Sequence, residues 1–399
     1  LERIVAAEEK NGAETYLTRY TWNARSELES VVDALGNVKR FRFDSLSRLV
    51  EVDDPDRGLW RSSFDDVGNL MERTDARSKV VAYTYDAANR PLEKIYRGAG
   101  AGGADLVESR SHYDVPAGVL DFGDGSTGTA RNTTGRLAWV EDRSGEAHFS
   151  YDERGNVEWV LKRLRDASTG LLVPYRTQRQ HDLLNRETAI VFPDNDLLRF
   201  DHGQGSNVTA IHGDGSTARS ILTAAEYTAS SRPLRLHWGN GLESRFEYDA
   251  NDRLRTERLL SGDGAVVRYE QLTYDPMSNL IAVDDLRPAA VVPAASQRRT
   301  TARFFHDELH RLVRSSYGAD ASLGIIDYTY DALGNLLSQS TPAPGQPGHL
   351  NDASVALGAV SYAGGRSNRT GRRAGDPPGP HALTATASGH SLAYDANGC

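Results

Sequence analysis

The stretch YTYDAANRPL, residues 83–92, holds an aromatic pair, an Asp and a run of turn-forming residues, and close variants of it recur along the chain. In the first hundred residues the aromatic–Asp step returns every 21 residues, at Trp22-Asn23, Phe43-Asp44, Phe64-Asp65 and Tyr85-Asp86. A fixed period of this length is typical of proteins built from one repeated supersecondary unit. The repeat therefore decides the fold class.

Later copies keep the step but vary in spacing. Clear copies are Tyr151-Asp152, Tyr248-Asp249, Tyr274-Asp275, His306-Asp307, Tyr330-Asp331 and Tyr394-Asp395, and weaker ones are His181-Asp182, Phe200-Asp201 and Tyr227-Thr228. Insertions in the loops of a conserved hairpin unit account for this drift, because hairpin loops accept extra residues.

Each copy has the pattern of a strand, a turn and a second strand. Aromatic or apolar residues two apart, such as Tyr83 and Tyr85, precede the Asp, and alternate residues of a strand share one face. The Asp is expected to accept hydrogen bonds from backbone amides just downstream, while Gly or Asn supplies the positive φ of a tight reversal. A second turn between copies, as at residues 54–58, completes the unit. The pattern predicts an all-β fold of repeated antiparallel β-hairpins, with no room for helices.

Composition and charge exclude several classes of protein. The chain has 399 residues, a net charge of -9 and a mean hydropathy of -0.53, and no apolar run is long enough to cross a bilayer. Charges of both signs are mixed along the chain, so no surface suited to nucleic acid is predicted. The single cysteine, Cys399, excludes an internal disulfide and a cysteine metal site.

Three motifs that suggest chemistry are better explained as parts of hairpins. HDELH, residues 306–310, has zinc-site spacing, but Asp307 replaces the required Glu and the motif lies in a repeat copy instead of a helix. DFGDGSTG (121–128) and HGDGST (212–217) lack the features of calcium and phosphate loops, whereas Asp-Gly is a strong hairpin-turn signal. No catalytic, cofactor-binding or metal-binding residue is predicted, and neither a cofactor nor enzyme activity is expected of these residues.

Composition also divides the chain into four zones. Residues 1–97 are regular YD repeats, and residues 98–340 continue them in partly degenerate form with loop insertions, including a Gly/Ala-rich stretch at 97–120 that is predicted to be a surface loop. Residues 341–380, rich in Pro, Gly and Arg, are predicted to be an irregular loop, and residues 381–399 to begin a further, truncated YD repeat. Because the chain starts at Leu1 and stops within a turn, we expect it to be a segment of a longer protein.

These residues resemble the RHS/YD-repeat family, whose repeat reads Tyr-Asp, two or three variable residues, Gly or Asn/Arg, then Leu. The resemblance runs from Tyr20 to Ala396, and GPHALTATASGHSLAYDANG at 379–398 is similar to the approach to a YD repeat in Tc-toxin B/C-type and related RHS toxins. In that family the repeats form a β-strip that spirals into a large hollow shell. The shell encloses a C-terminal toxic domain in Tc and Rhs toxins and belongs to an adhesion receptor in teneurins. The family's usual core terminus is not found here, and DDPDRGLW (53–60) reads as a repeat turn.

The resemblance implies a structural segment of a bacterial shell, secreted or at the cell surface, that encapsulates and delivers a C-terminal toxin domain outside this chain. Its partners would be that cargo and neighbouring shell segments, with a toxin-translocation component and glycans as further candidates. The alternative is a cell-surface adhesion or carbohydrate-binding YD-repeat protein, of wall-associated or teneurin-like type, whose aromatic rows stack on sugars. An enzyme on a β-propeller or β-helix would show non-repeating His, Asp and Glu clustered at one end, and no such cluster is seen in the sequence.

Overall fold

The computed structural model describes residues 3–203, 205–214, 218–294, 296, 298–341, 357–362, 369–373 and 375–399. In these residues the regular structure is β-strand except for two single 3-10 turns, Ala101–Gly103 and Ala319–Ala321. Apart from the pair β11–β12, the strands join one antiparallel sheet of 29 strands, so the all-β prediction is confirmed. The strands are β1 (Ala6–Asn11), β2 (Glu14–Trp22), β3 (Leu28–Val32), β4 (Val38–Phe43), β5 (Leu49–Asp54), β6 (Gly58–Phe64), β7 (Leu70–Thr74), β8 (Val80–Tyr85), β9 (Pro91–Tyr96), β10 (Leu106–Tyr113), β11 (Leu120–Asp121), β12 (Thr127–Gly128), β13 (Leu137–Asp142), β14 (Gly145–Tyr151), β15 (Val157–Arg165), β16 (Leu172–His181), β17 (Glu187–Val191), β18 (Leu197–His202), β19 (Val208–Asp214), β20 (Ala218–Tyr227), β21 (Pro233–Trp238), β22 (Glu243–Tyr248), β23 (Leu254–Leu260), β24 (Val266–Tyr274), β25 (Leu280–Asp285), β26 (Ala302–His306), β27 (Leu312–Tyr317), β28 (Gly324–Tyr330), β29 (Leu336–Ser340), β30 (Gly358–Ser361) and β31 (Ala385–Thr386).

Contacts divide the chain into two compact units. Unit 1 consists of residues 1–81 and 270–399, and unit 2 of residues 82–269. The four zones expected from the composition of the sequence divide the chain differently from these two units, and they remain a prediction. Much of the stretch 341–380 lies outside the described residues, although part of it, β30, is a strand.

In unit 2 the structure corrects the prediction of a surface loop at 97–120. Residues 106–113 form β10, which pairs with β9 on one side and β13 on the other. The Gly/Ala-rich loop signal applies only to the connection before this strand. The buried cluster beneath the neighbouring hairpins contains Phe122 and Trp159, whose rings meet edge to face at 5.2 Å between centroids.

In unit 1 the last residues of the chain pack against hairpins near its beginning. The backbone N–H of Val38 donates to the carbonyl oxygen of Arg369 at 2.7 Å, and the side chain of Asn397 donates to Asp75 Oδ2 at 2.6 Å. We call residues 369–373 and 375–399 the docked segment. These contacts join residues more than 300 positions apart in sequence, as in the 332-residue separation of Asn37 and Arg369.

The centre of the docked segment is Arg372, which is only 2% exposed. Its guanidinium donates to the backbone carbonyls of Asp395 and of Pro377, the latter at 3.1 Å. Gly58 faces it with a φ of 72°, and a Cβ there would lie 2.7 Å from the carbonyl oxygen of Arg372. Only glycine therefore permits this approach of the two backbones.

The attachment of the docked segment is expected to weaken as pH rises, because His381 binds Asp56. Its ring Nδ1 lies 2.7 Å from Asp56 Oδ2, and this hydrogen bond raises the pKa of His381, with Asp33 and Asp331 adding to the effect. A raised pKa gives stability that is complete below pH about 6.5 and is lost as pH rises through the folded value.

Thermal unfolding of the protein and of a His381→Gln variant measures this effect. The difference in melting temperature should be larger near pH 6 than near pH 9. A difference that stays constant across that range would contradict a charged His381.

Candidate functional site

Each YD turn is fixed by its Asp carboxylate. In the turn 152–156, Asp152 Oδ1 accepts hydrogen bonds from the N–H groups of Arg154 and Asn156 at 2.9 and 2.8 Å, and Oδ2 accepts from the Asn156 side chain at 2.9 Å. The Asn156 side chain lowers the pKa of Asp152, and Gly155 has a φ of 92°. The predicted role of the Asp is confirmed. Related turns occur at Asp33, Asp44, Asp65, Asp86, Asp182, Asp249, Asp275, Asp307 and Asp331.

The residue four positions after the Asp reaches beyond its own turn. Arg311 Nε donates to Asp307 Oδ2 at 2.7 Å, and its Nη1 donates to the carbonyl oxygen of Asp331, the Asp of the following turn, at 3.1 Å. Where this residue is Asn the reach is shorter, as in Asn156, whose side chain donates to Asn185 Oδ1 at 2.9 Å. We call YD turns joined in this way linked turns.

The aromatic residue before the Asp completes the link. The hydroxyl of Tyr330 donates to the carbonyl oxygen of Leu312 at 2.8 Å, and the guanidinium of Arg311 lies 4.9 Å from the centre of its ring. Tyr330 is also the cross-strand partner of Leu336, which follows its own turn. The Tyr thus contacts both the preceding repeat and its own hairpin. The same donation to the preceding repeat is made by Tyr113, Tyr151, Tyr227 and Tyr248.

Replacing Arg311 with Asn separates the two functions of this position. Asn keeps the bond to the Asp within the turn, as Asn335 does with Asp331, but its shorter side chain does not extend to the carbonyl oxygen of Asp331 as Arg311 does. We expect a loss of about 2 kcal/mol in the free energy of unfolding, because a charge-assisted hydrogen bond and a cation–π contact disappear. Denaturant titration measures the loss. Arg314→Asn, on the strand that follows, removes only an exposed ion pair and serves as the control.

Replacing Tyr330 with Phe tests the hydroxyl alone. The ring and its contact with Arg311 remain, but the carbonyl of Leu312 loses its donor, so we expect a loss of about 1 kcal/mol. Denaturant titration of Tyr330→Phe beside Tyr328→Phe, on the same strand, makes the comparison. Equal losses in the two variants would show that the hydroxyl bond does not stabilise the repeat junction.

The motifs that suggested chemistry lie in turns. His306 ends β26 and His310 has a φ of 62° in the turn, where its ring accepts a hydrogen bond from Asn279 at 2.9 Å, so HDELH is not helical. Within 121–128, the hairpin β11–β12 contains Gly123 and Gly125 with positive φ. HGDGST lies partly outside the described residues. Among the described residues, no group of three or more His, Cys, Asp or Glu side chains could hold a metal ion.

Sequence reasoning missed one YD copy, Tyr113-Asp114. The N–H of Asp114 donates to the carbonyl of Arg136 at 3.0 Å, and Arg136 stacks on the ring of Tyr151 at 5.5 Å. Arg136 therefore stands where the fourth residue after the Asp stands in other turns, and residues 115–135 are inserted between. The Tyr-Asp dipeptide was visible, but its closing Arg is 22 residues away instead of four.

Sequence reasoning also missed the linking role of the Arg or Asn position. Its signal was present, since Arg48, Asn69, Arg90 and Asn156 all stand four residues after an Asp.

Among the described residues, none of the helical segments is of a length and apolarity that would cross a membrane.

Comparisons with known proteins agree with this repeat. The family described as RHS Repeat matches residues 64–101. The chain is 26% identical over 321 residues to Double-stranded DNA deaminase toxin A of Burkholderia cenocepacia (strain H111), which covers 78% of this chain and 19% of that protein. The chain therefore spans about a fifth of the length of this curated relative.

Solved structures of Tc toxins share the fold. The crystal structure of TcdB2-TccC3 matches 92% of this chain and 20% of its own chain with a TM-score of 0.75 at 15% identity. A Photorhabdus luminescens Tc holotoxin pore matches 82% of this chain and 17% of its own with a TM-score of 0.70, also at 15% identity. The chain thus contains an RHS repeat at residues 64–101 and shares its fold with the solved Tc-toxin structures, as its YD pattern predicts.

Proposed function

We propose that this chain is a wall segment of an RHS-repeat shell that encloses a C-terminal toxin domain outside residues 1–399. The observation that carries the proposal is the fold match to TcdB2-TccC3 over 92% of the chain. One of the matching structures is described as lacking its hypervariable C-terminal region, and the curated relative is named as a toxin. In this proposal the protein is secreted or exported, and its wall residues catalyse no reaction.

The linked turns support a mechanical role. A wall that holds a cargo must keep its repeats joined under load, and the junction at Tyr330 combines a Tyr hydroxyl bond, an Arg bond and the strand ladder. The positions that recur most regularly from copy to copy are thus those that join one repeat to the next. In an enzyme, we would expect the most specialised residues to converge on one pocket instead.

Limited proteolysis of the full-length protein tests the proposal. The segment that follows the repeats should be cleaved at least about tenfold more slowly in the intact protein than when it is expressed alone, since a folded wall excludes the protease. Mass spectrometry identifies the protected fragment.

Equal cleavage rates would overturn the shell proposal. If the full-length protein also carried a membrane anchor and bound glycans, the adhesion alternative would take its place. A glycan array with the intact protein gives that second measurement.

A further inference from the structure

One face of β4, β5 and β6 in unit 1 carries a pocket that does not belong to the repeat. Its floor is a cross-strand row in which Phe41 pairs with Val52 and Val52 with Trp60. The pocket has a volume of about 240 Å³. In the repeat, the position of Trp60 is held by Lys39 in the preceding copy and by Val81 in the following one, so the pocket is specific to this place.

The rim of the pocket is positively charged. The guanidinium groups of Arg57 and Arg73 lie 5.3 and 5.1 Å from the centre of the Trp60 ring. Lys39 also lies at the rim, but its Nζ is 2.7 Å from Asp54 Oδ2, which neutralises it. Most arginines of the hairpins have a carboxylate partner, as Arg61 has in Glu51.

Arg57 and Arg73 are different in this respect. Within the part of the chain that the structure describes, neither guanidinium has a carboxylate within ion-pair distance. Both are held against an indole ring, so their N–H donors are oriented before a ligand arrives. The rim therefore offers two uncompensated cations above an apolar, aromatic floor.

We propose that this pocket binds a small ligand that carries a carboxylate or phosphate group on a flat, apolar body. Guanidinium groups bind such anions through paired, charge-assisted hydrogen bonds. The row of Phe41, Val52 and Trp60 buries the body of the ligand, in the way that binding pockets combine an apolar surface with a few polar groups. This inference concerns a ligand of the wall itself and does not depend on an enclosed cargo.

Isothermal titration calorimetry of the intact protein with phenyl phosphate tests the inference. We expect saturable binding that Arg73→Gln and Arg57→Gln each weaken by about tenfold, because each removes a charge-assisted contact. Arg61→Gln is the matched control, since Arg61 is the neighbour of Trp60 on β6 and its side chain lies on the opposite face.

Inorganic phosphate and benzyl alcohol separate the two parts of the ligand. Both should bind more weakly than phenyl phosphate, since the first lacks the apolar body and the second lacks the charge. The inference is overturned if either binds as tightly as phenyl phosphate, if phenyl phosphate gives no saturable heat, or if Arg61→Gln weakens binding as much as Arg73→Gln.

Discussion

Replacing Asp285 with Ala is expected to lower the free energy of unfolding by about 3–5 kcal/mol, because it leaves two nearly buried arginines without their carboxylate. The Asp285 side chain is fully buried, and it binds Arg287 Nη2 at 2.5 Å and Arg299 Nη1 at 3.4 Å. It also accepts the backbone N–H of Thr300 at 3.1 Å. This one carboxylate therefore holds both ends of the connection between β25 and β26.

Asp284→Ala provides the matched control for this prediction. Asp284 is the next residue on β25 and binds Arg303, but that ion pair is exposed, so we expect a loss below about 1 kcal/mol. Denaturant titration of both variants makes the comparison, and similar losses would refute the special role of Asp285.

Acid should reproduce part of the effect of Asp285→Ala. Burial alone would raise the pKa of Asp285, but the hydrogen bonds from Arg287 and Thr300 outweigh it and lower the pKa to about 2. A lowered pKa gives stability that is complete above the unfolded value and is lost as pH falls toward about 2. Unfolding curves of the protein and of Asp285→Ala should converge in that range.

Replacing Arg372 with Met is expected to release the docked segment, with a loss of about 3 kcal/mol. Met fills a similar volume, but the part-buried backbone carbonyls of Asp395 and Pro377 lose their charged donor, and hydrogen bonds to a charged group contribute about 1.5–3 kcal/mol each. Hydrogen exchange of residues 375–399, followed by mass spectrometry, should become faster in the variant.

Arg373→Met is the control for the docked segment. The Arg373 side chain is 55% exposed and binds Asp53 Oδ1 at 2.9 Å, so its loss should leave exchange in residues 375–399 nearly unchanged. If both variants accelerate exchange equally, the exposed ion pair and the hydrogen bonds of the buried Arg372 side chain contribute alike, and the assignment of Arg372 as the anchor is wrong.

The hairpin unit could be predicted from the sequence because its causes are local. The carboxylate of Asp152 acts on residues two and four positions away, and Gly155 supplies the positive φ within the same turn. The link from Arg311 to Asp331 spans 20 residues, and its geometry depends on how adjacent hairpins pair. Periodicity shows that such residues recur but not which atoms they contact.

The docked segment and the charged pocket could not be predicted in this way. Arg372 meets Asp56 over a separation of 316 residues, which no repeat spacing encodes. The pocket at Trp60 depends on a departure from the repeat, and a single aromatic residue at a strand position is ordinarily core. For the docked segment, the decisive contacts are with backbone groups that are distant in sequence. For the pocket, the decisive fact is that Arg57 and Arg73 have no carboxylate partner among the described residues.

The linked turns also decide where this chain can change length. Most YD turns have the same length, five residues from the Asp to the linking Arg or Asn, as at 152–156 and 307–311. The connections at the other end of the hairpins vary in length, from a short turn after β5 to a long connection after β25. Even the interrupted turn at Asp114 keeps its two end residues. Evolution, and protein engineers who wish to insert an epitope or a cleavage site, thus have one tolerant end of each hairpin, whereas an insertion at the YD end has to keep the Asp and the linking residue together, as residues 115–135 do.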